Sequence, residues 1–296
     1  MNQRENKYMA NPIIGRPDAF TRHGGGQQQR GYTGYGAPQG YAPPQFDQQA
    51  PQQPYDPYTV PQQEAPRSSG VMTLDDVLAK TAITLGVVAV TAIAVFLGFS
   101  NGILPLTLLT PAVIVSAIVG LVTVMFVAGR RKLPVGGVLF YAAVEGVFVG
   151  AFSTLFEFMY PGIVTTAVMA TFVTAAATLG AYKFFNIRVT PKFRKMVFIG
   201  TAAMAGVLLV NFVLALFGVS TPIREVGSGA GWIAIGISIL AVILAVLNLV
   251  TDFDSVERGI ASQAPAQESW RAALGITVTM VWLYVEILRI LSYFRD

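Results

Sequence analysis

The chain has 296 residues, of which 53% are hydrophobic and only 12% charged. A soluble domain averages about 25% charged residues, so this composition argues for a membrane protein. With no cysteine, disulfides, thiol catalysis and Cys-ligated metals are excluded; the single histidine, His23, cannot form a multi-His metal site and lies in a Gly/Gln/Arg-rich tract where no His–Asp triad is expected.

Residues 1–70 are polar and of low complexity, with runs such as GGGQQQRGYTGYGAPQGYAPPQ, and ten of the 17 prolines fall here. Such a stretch cannot bury enough apolar surface to offset a backbone entropy of roughly 1–2 kcal/mol per residue, so it reads as a disordered tail. Its tyrosines among Gly, Gln and Pro form a weak sticker-like pattern for self-association or a protein partner, the plainer reading being a solvated tail. No charged n-region precedes an apolar core here, so a signal peptide is not expected.

At Thr73 the character changes. Thr73-Leu-Asp75-Asp76 reads as a helix start, with Thr73 as N-cap and acidic groups in the first turn, where the helix dipole favours them. Apolar runs long enough to cross a ~30 Å hydrocarbon core then recur. The predicted spans are 80–99, 109–129, 137–158, 163–182, 196–217, 231–251 and 273–291. Short connections predict antiparallel neighbours in an all-α, seven-transmembrane-helix bundle over 71–296. Frequent Ala, Gly and Thr in spans four and five predict close backbone approach there.

Basic residues set the orientation. Arg130, Arg131 and Lys132 follow span two; Lys183, Arg188, Lys192, Arg194 and Lys195 follow span four; Arg258 and Arg271 flank the loop after span six. The three alternate loops hold only Arg224. Ten against one places the N-terminus in the cytoplasm and, with seven spans, the C-terminus outside. The net charge of +4 is then mostly a topology signal, and no folded segment shows a basic, aromatic-interleaved face for nucleic acid.

Charges within apolar spans cost roughly 2.5–3.5 kcal/mol at the centre, so each needs a reason. Glu145 lies mid-span in FYAAVEGVFVGAF, and Glu286 and Arg289 lie deep in VWLYVEILRILSYF. Three residues apart, Glu286 and Arg289 share a helix face. They form either a self-neutralising pair or a proton- or cation-binding Glu286 with Arg289 as competitor. Glu145 reads either as a protonated acid bonded to a neighbouring helix or as a second functional carboxyl. Asp252 and Asp254, in NLVTDFDSVERG, are about 200° apart on a helix, so one faces the bundle and one the headgroups or the lumen of a cytoplasmic vestibule, unless both are simply solvated at the helix end. Glu157, Lys80 and Arg295 sit near span ends, where they can reach the interface.

The string LNLVTDFDSVERGI followed by WRAALGITVTMVWLYVEILRILSYF closely resembles the last two helices of the transmembrane Bax inhibitor motif (Bax inhibitor-1-like) family, and VMTLDDVLAKTAITL resembles its first helix. The resemblance covers about residues 71–296 and points to the bacterial, actinobacterial-type branch with a long N-terminal extension. It implies a central last helix, a place in the bacterial cytoplasmic membrane and a pH-sensitive calcium leak. It also implies a hydrogen-bonded carboxyl dyad, onto which Asp252 and Glu286 map by motif. The same two carboxyls would offer a weak, transient calcium site, well short of the usual 6–8 oxygen ligands. By the rise of a helix starting near 272, Glu286 lies about 21 Å in, so its depth can differ from that of Asp252 by ~10 Å. Arg289 therefore stays open as its partner.

Two functions follow. The first is a cation leak gated by Asp252, Glu286 and Arg289, with Asp254 and Glu145 as secondary candidates, no tightly bound cofactor, and calcium and protons as its ions. The second is a non-conducting scaffold that recruits partners through the tail. Enzyme chemistry is not expected: every lysine in the span region lies at a span end, and the GxGD sequence of intramembrane aspartyl proteases is missing.

Overall fold

A computed structural model describes residues 70–130, 132–185, 187–219 and 221–295. The expected disordered tail lies outside these residues, apart from Gly70. Seven long helices follow in chain order: α1 (Leu74–Ser100), α2 (Leu109–Ala128), α3 (Val135–Met159), α4 (Ile163–Phe184), α5 (Pro191–Leu216), α6 (Trp232–Ala261) and α7 (Glu268–Ser292). All seven are long and apolar enough to cross a membrane.

Helix starts follow local chemistry. The Thr73 hydroxyl accepts the Asp76 amide at 3.2 Å, and the Thr190 hydroxyl accepts that of Phe193 at 3.2 Å ahead of Pro191 at the first helical position. The Glu157 carboxylate caps α4 from the end of α3, accepting from the amides of Gly162 (2.6 Å) and Val164 (3.2 Å). That span-end carboxylate is therefore tied to the protein and not merely held at the interface. Helix α6 runs past the apolar stretch to Ala261, carrying Asp252 and Asp254 on continuous helix.

The packing order departs from chain order. Helix α7 is central and touches α1, α3, α4 and α6. Its buried Leu283, Tyr284, Ile287 and Leu288 join Phe156 of α3, Ile163 and Ala167 of α4 and Ala245 of α6 in the largest apolar cluster. Helix α1 packs chiefly on α3, which also packs on α2, so the expected neighbour pairing fails at the start of the bundle.

The close backbone approach expected of span five is not seen. The tightest seam lies between α3 and α1, at Gly146-x-x-x-Gly150. A Cβ on Gly146 would meet the Val88 carbonyl oxygen at 2.7 Å, and one on Gly150 the Ala92 carbonyl oxygen at 2.5 Å. Small residues four apart on one face let backbones touch. In α5, Gly206 has nothing within 4 Å of its Cβ position, and the buried residues are Val197 and Met204 alone. Small residues are a necessary condition for a close seam, and register against a partner decides which set is used.

At the other end of the bundle, residues 70–72 are strapped to the α6–α7 loop. The Met72 amide donates to Ala264 O (2.7 Å), and Ala266 donates back to Gly70 O (2.7 Å). The Met72 side chain is buried against Gly259, where a Cβ would sit 2.7 Å from its sulfur. Lys80 Nζ donates to Ala266 O at 3.0 Å and lies over the Trp270 ring, so this span-end lysine also has a structural partner.

Candidate functional site

Helix α7 places Glu286 where solvent does not reach: it is 0% exposed and flanked on its helix by Leu283, Tyr284, Ile287 and Leu288 of the largest apolar cluster. An uncompensated carboxylate there would be costly. The compensation comes from Arg224, at the end of a short 3-10 turn (Pro222–Arg224) in the α5–α6 connection. Its Nη1 donates to Oε1 at 2.8 Å and to Oε2 at 3.1 Å.

The same connection is bound to α7 at further points. Arg289 Nη1 donates to the carbonyl of Arg224 at 2.7 Å and lies 3.4 Å from that of Glu225. The Gly227 amide donates to Ser292 Oγ at 3.3 Å, and that hydroxyl donates to Arg289 O at 2.7 Å. Gly227 has a φ of +85° and its Cβ position is occupied by the Tyr160 hydroxyl, so only glycine fits this turn. Glu225 accepts the Gly231 amide at 3.0 Å, closing the loop on itself ahead of α6. One guanidinium thus binds the carboxylate and a second holds the loop that carries it, and these three side chains have a formal net charge of +1 while all are ionised.

This arrangement corrects two expectations. Glu286 is paired neither with Asp252 nor with Arg289; its partner is Arg224, and Arg289 serves the loop's carbonyl oxygens instead. The sequence signal for Arg224 was its isolation as the one basic residue in loops otherwise free of them. A residue that runs against the charge bias of its loop needs a partner to explain it.

Asp252 projects from α6 toward α7, where Thr279 Oγ1 donates to its Oδ2 at 2.7 Å. Gly275, one turn back on α7, lies beside the same carboxylate, its Cβ position 3.5 Å from Oδ1. Thr279 is seven residues before Glu286 on α7, which separates the two carboxyl levels by about 10 Å. The dyad is therefore not formed, and the two carboxylates do not share one calcium site. Among the described residues no group of three or more His, Cys, Asp or Glu is placed to hold a metal.

The secondary candidates have separate surroundings. Asp254 turns away from α7 and binds Arg194 of α5 (2.6 Å) and Arg258 of its own helix (2.9 Å). Glu145 on α3 is hydrogen-bonded to Tyr141 one turn earlier and lies against α2, with Oε2 3.1 Å from the Cβ position of Gly120. Neither belongs to the Glu286 cluster. Two ionisable levels thus lie along α7, a guanidinium-locked Glu286 toward its C-terminus and a hydroxyl-bonded Asp252 toward its N-terminus.

A family model described as Bax inhibitor 1 like matches residues 11–296, nearly the whole chain. No curated protein matches the chain.

Proposed function

Because the chain belongs to the Bax inhibitor 1 like family, we propose that this multi-pass membrane protein is a pH-sensitive leak for calcium, or cations more broadly, closed by Arg224 on Glu286. The observation that carries this reading is the origin of the neutralising group. Arg289, on the same helix face, is the nearer source of positive charge, yet the guanidinium on Glu286 comes from a loop. A loop can leave without unfolding a helix. When it leaves, Glu286 becomes an unpaired anion on the central helix, and a cation can take the place of Arg224. Asp252, on α6 at the level of Thr279, is a second carboxylate about 10 Å away along the axis of α7. Water and backbone carbonyls would complete the coordination, giving binding weak enough for an ion to depart.

The pH response is assigned to Asp252. It faces the neutral hydroxyl of Thr279, and the charges at its end of α6 are already committed among Asp254, Arg194 and Arg258. Protonated, Asp252 adds no attraction for a cation; ionised, it does, so flux rises with pH. The ten-to-one bias of basic residues puts Asp252 toward the cytoplasm of a bacterial cytoplasmic membrane. Arg224 and the C-terminus then lie on the outside. The protein is assigned no catalytic activity and no tightly bound cofactor.

Liposomes carrying a calcium dye test the reading. Arg224→Gln raises flux, Glu286→Gln lowers it, and Asp252→Asn flattens its pH dependence. If all three match the unsubstituted chain in flux and pH profile, the leak reading is wrong. A second reading, a scaffold acting through its tail, draws on the strap at residues 70–72, which ties the tail's exit point to the α6–α7 loop. Removing residues 1–66 leaves flux intact under the leak reading. Loss of the cellular phenotype in that truncation, with all three carboxylate and arginine variants behaving normally, would favour the scaffold.

A further inference from the structure

Outside the charged cluster, an apolar crevice of about 240 Å³ opens between α1 and α4, with α3 and α7 as its floor. Leu85, Ala89 and Phe96 form one wall, and Val168 and Phe172 the other. The hydroxyls that reach it are already used. Thr171 donates to Ala167 O (2.7 Å), Ser153 lies 2.6 Å from Val149 O, and the Tyr284 hydroxyl lies 2.6 Å from Ser153 Oγ. Among the described residues no charged side chain lines it. A buried water needs about two to four polar partners, and with the lining hydroxyls already bonded the crevice offers almost none, so it suits an apolar guest.

We propose that this crevice binds one acyl chain of a phospholipid from the surrounding bilayer. Two observations select that occupant. Phe172 (57% exposed) and Val168 are part of the outward apolar surface of α4 as well as of the crevice wall, so the crevice is continuous with the lipid-facing surface. Its length also fits. Leu85 to Phe96 is eleven residues of helix, about 16 Å, against roughly 15 Å for one leaflet of a ~30 Å core. The wall residues of α1 run from mid-helix toward its C-terminus and those of α4 start near its N-terminus, so the chain belongs to the leaflet on the α3–α4 turn side. The headgroup stays outside, since nothing in the crevice can bind one. The inference stands apart from the leak reading and does not depend on it.

Two measurements test it. In native mass spectrometry of the full chain extracted in mild detergent, one phospholipid per chain is retained, and Ala89→Phe, which fills the mouth, loses it. In vesicles of phosphatidylcholine with dibrominated acyl chains, a tryptophan at Phe96→Trp, with Trp232, Trp270 and Trp282 replaced by Phe, is quenched like one at the lipid-facing position Phe126→Trp. Adding Ala89→Phe removes quenching at position 96 and leaves it at 126. An unquenched reporter at 96 beside a quenched one at 126 overturns the proposal. So does retention of an unesterified fatty acid or isoprenoid in place of phospholipid.

Discussion

Helices α5 and α7 invert the ordering expected of a water-soluble core. By sequence α5 is the more apolar, yet only 11% of its spanning stretch is buried inside the protein, against 67% for α7, which carries Glu286 and Arg289. In water the apolar helix would be the buried one. In a bilayer, lipid solvates apolar side chains as well as a protein core does, so hydrophobicity no longer selects the interior. What cannot face lipid goes inside, and α7 is central because its charges need partners. Helix α5 holds to the bundle by one stripe, with Met204 packed on Ala241 and Leu244, Thr201 bonded to Asn248 (2.6 Å) and Arg194 to Asp254.

The contrast makes α7 and its partners sensitive and the outer face of α5 tolerant. The largest loss is expected from Arg224→Gln, which leaves Glu286 unpaired in a buried site. Removing one member of a buried pair costs about 3–5 kcal/mol, read as a lowered midpoint of thermal unfolding in detergent. Adding Glu286→Gln recovers most of it, because no charge is then stranded. A double variant no more stable than Arg224→Gln alone would show that the pair is not what holds the loop. Next comes Gly150→Val at the α1–α3 seam. Its Cβ collides with a backbone carbonyl that cannot turn aside, so a cost near or above ~3 kcal/mol is expected in the same assay. The smallest effect belongs to Phe198→Leu on α5, where the ring is 70% exposed to the apolar surroundings. Its midpoint stays within about 0.5 kcal/mol of the parent, as for substitutions that touch no partner. A large drop there would mean that the face is covered by another protein and not by lipid.

Much of this architecture is legible without coordinates. Span number and position follow from hydropathy: the predicted 109–129 and 163–182 end within two residues of α2 and α4. The Thr73 cap and the split between Asp252 and Asp254 follow from local geometry, since two residues on a helix cannot share a direction. The membership signalled by LNLVTDFDSVERGI and LYVEIL extends over residues 11–296.

The partners of the charges were beyond reach. Glu286 and Arg289 sit at ideal spacing for each other, and only the α5–α6 connection, folded back onto α7, supplies Arg224 in their place. The small residues of α5 look as suited to close packing as Gly146 and Gly150, yet only the latter two meet a partner backbone. Spans, caps and the charge bias depend on neighbours within a few residues and on the solvent, so they are written locally. Pairings between α7 and a loop some 60 residues away, or between α3 and α1, depend on which faces meet. That is settled when the whole bundle packs.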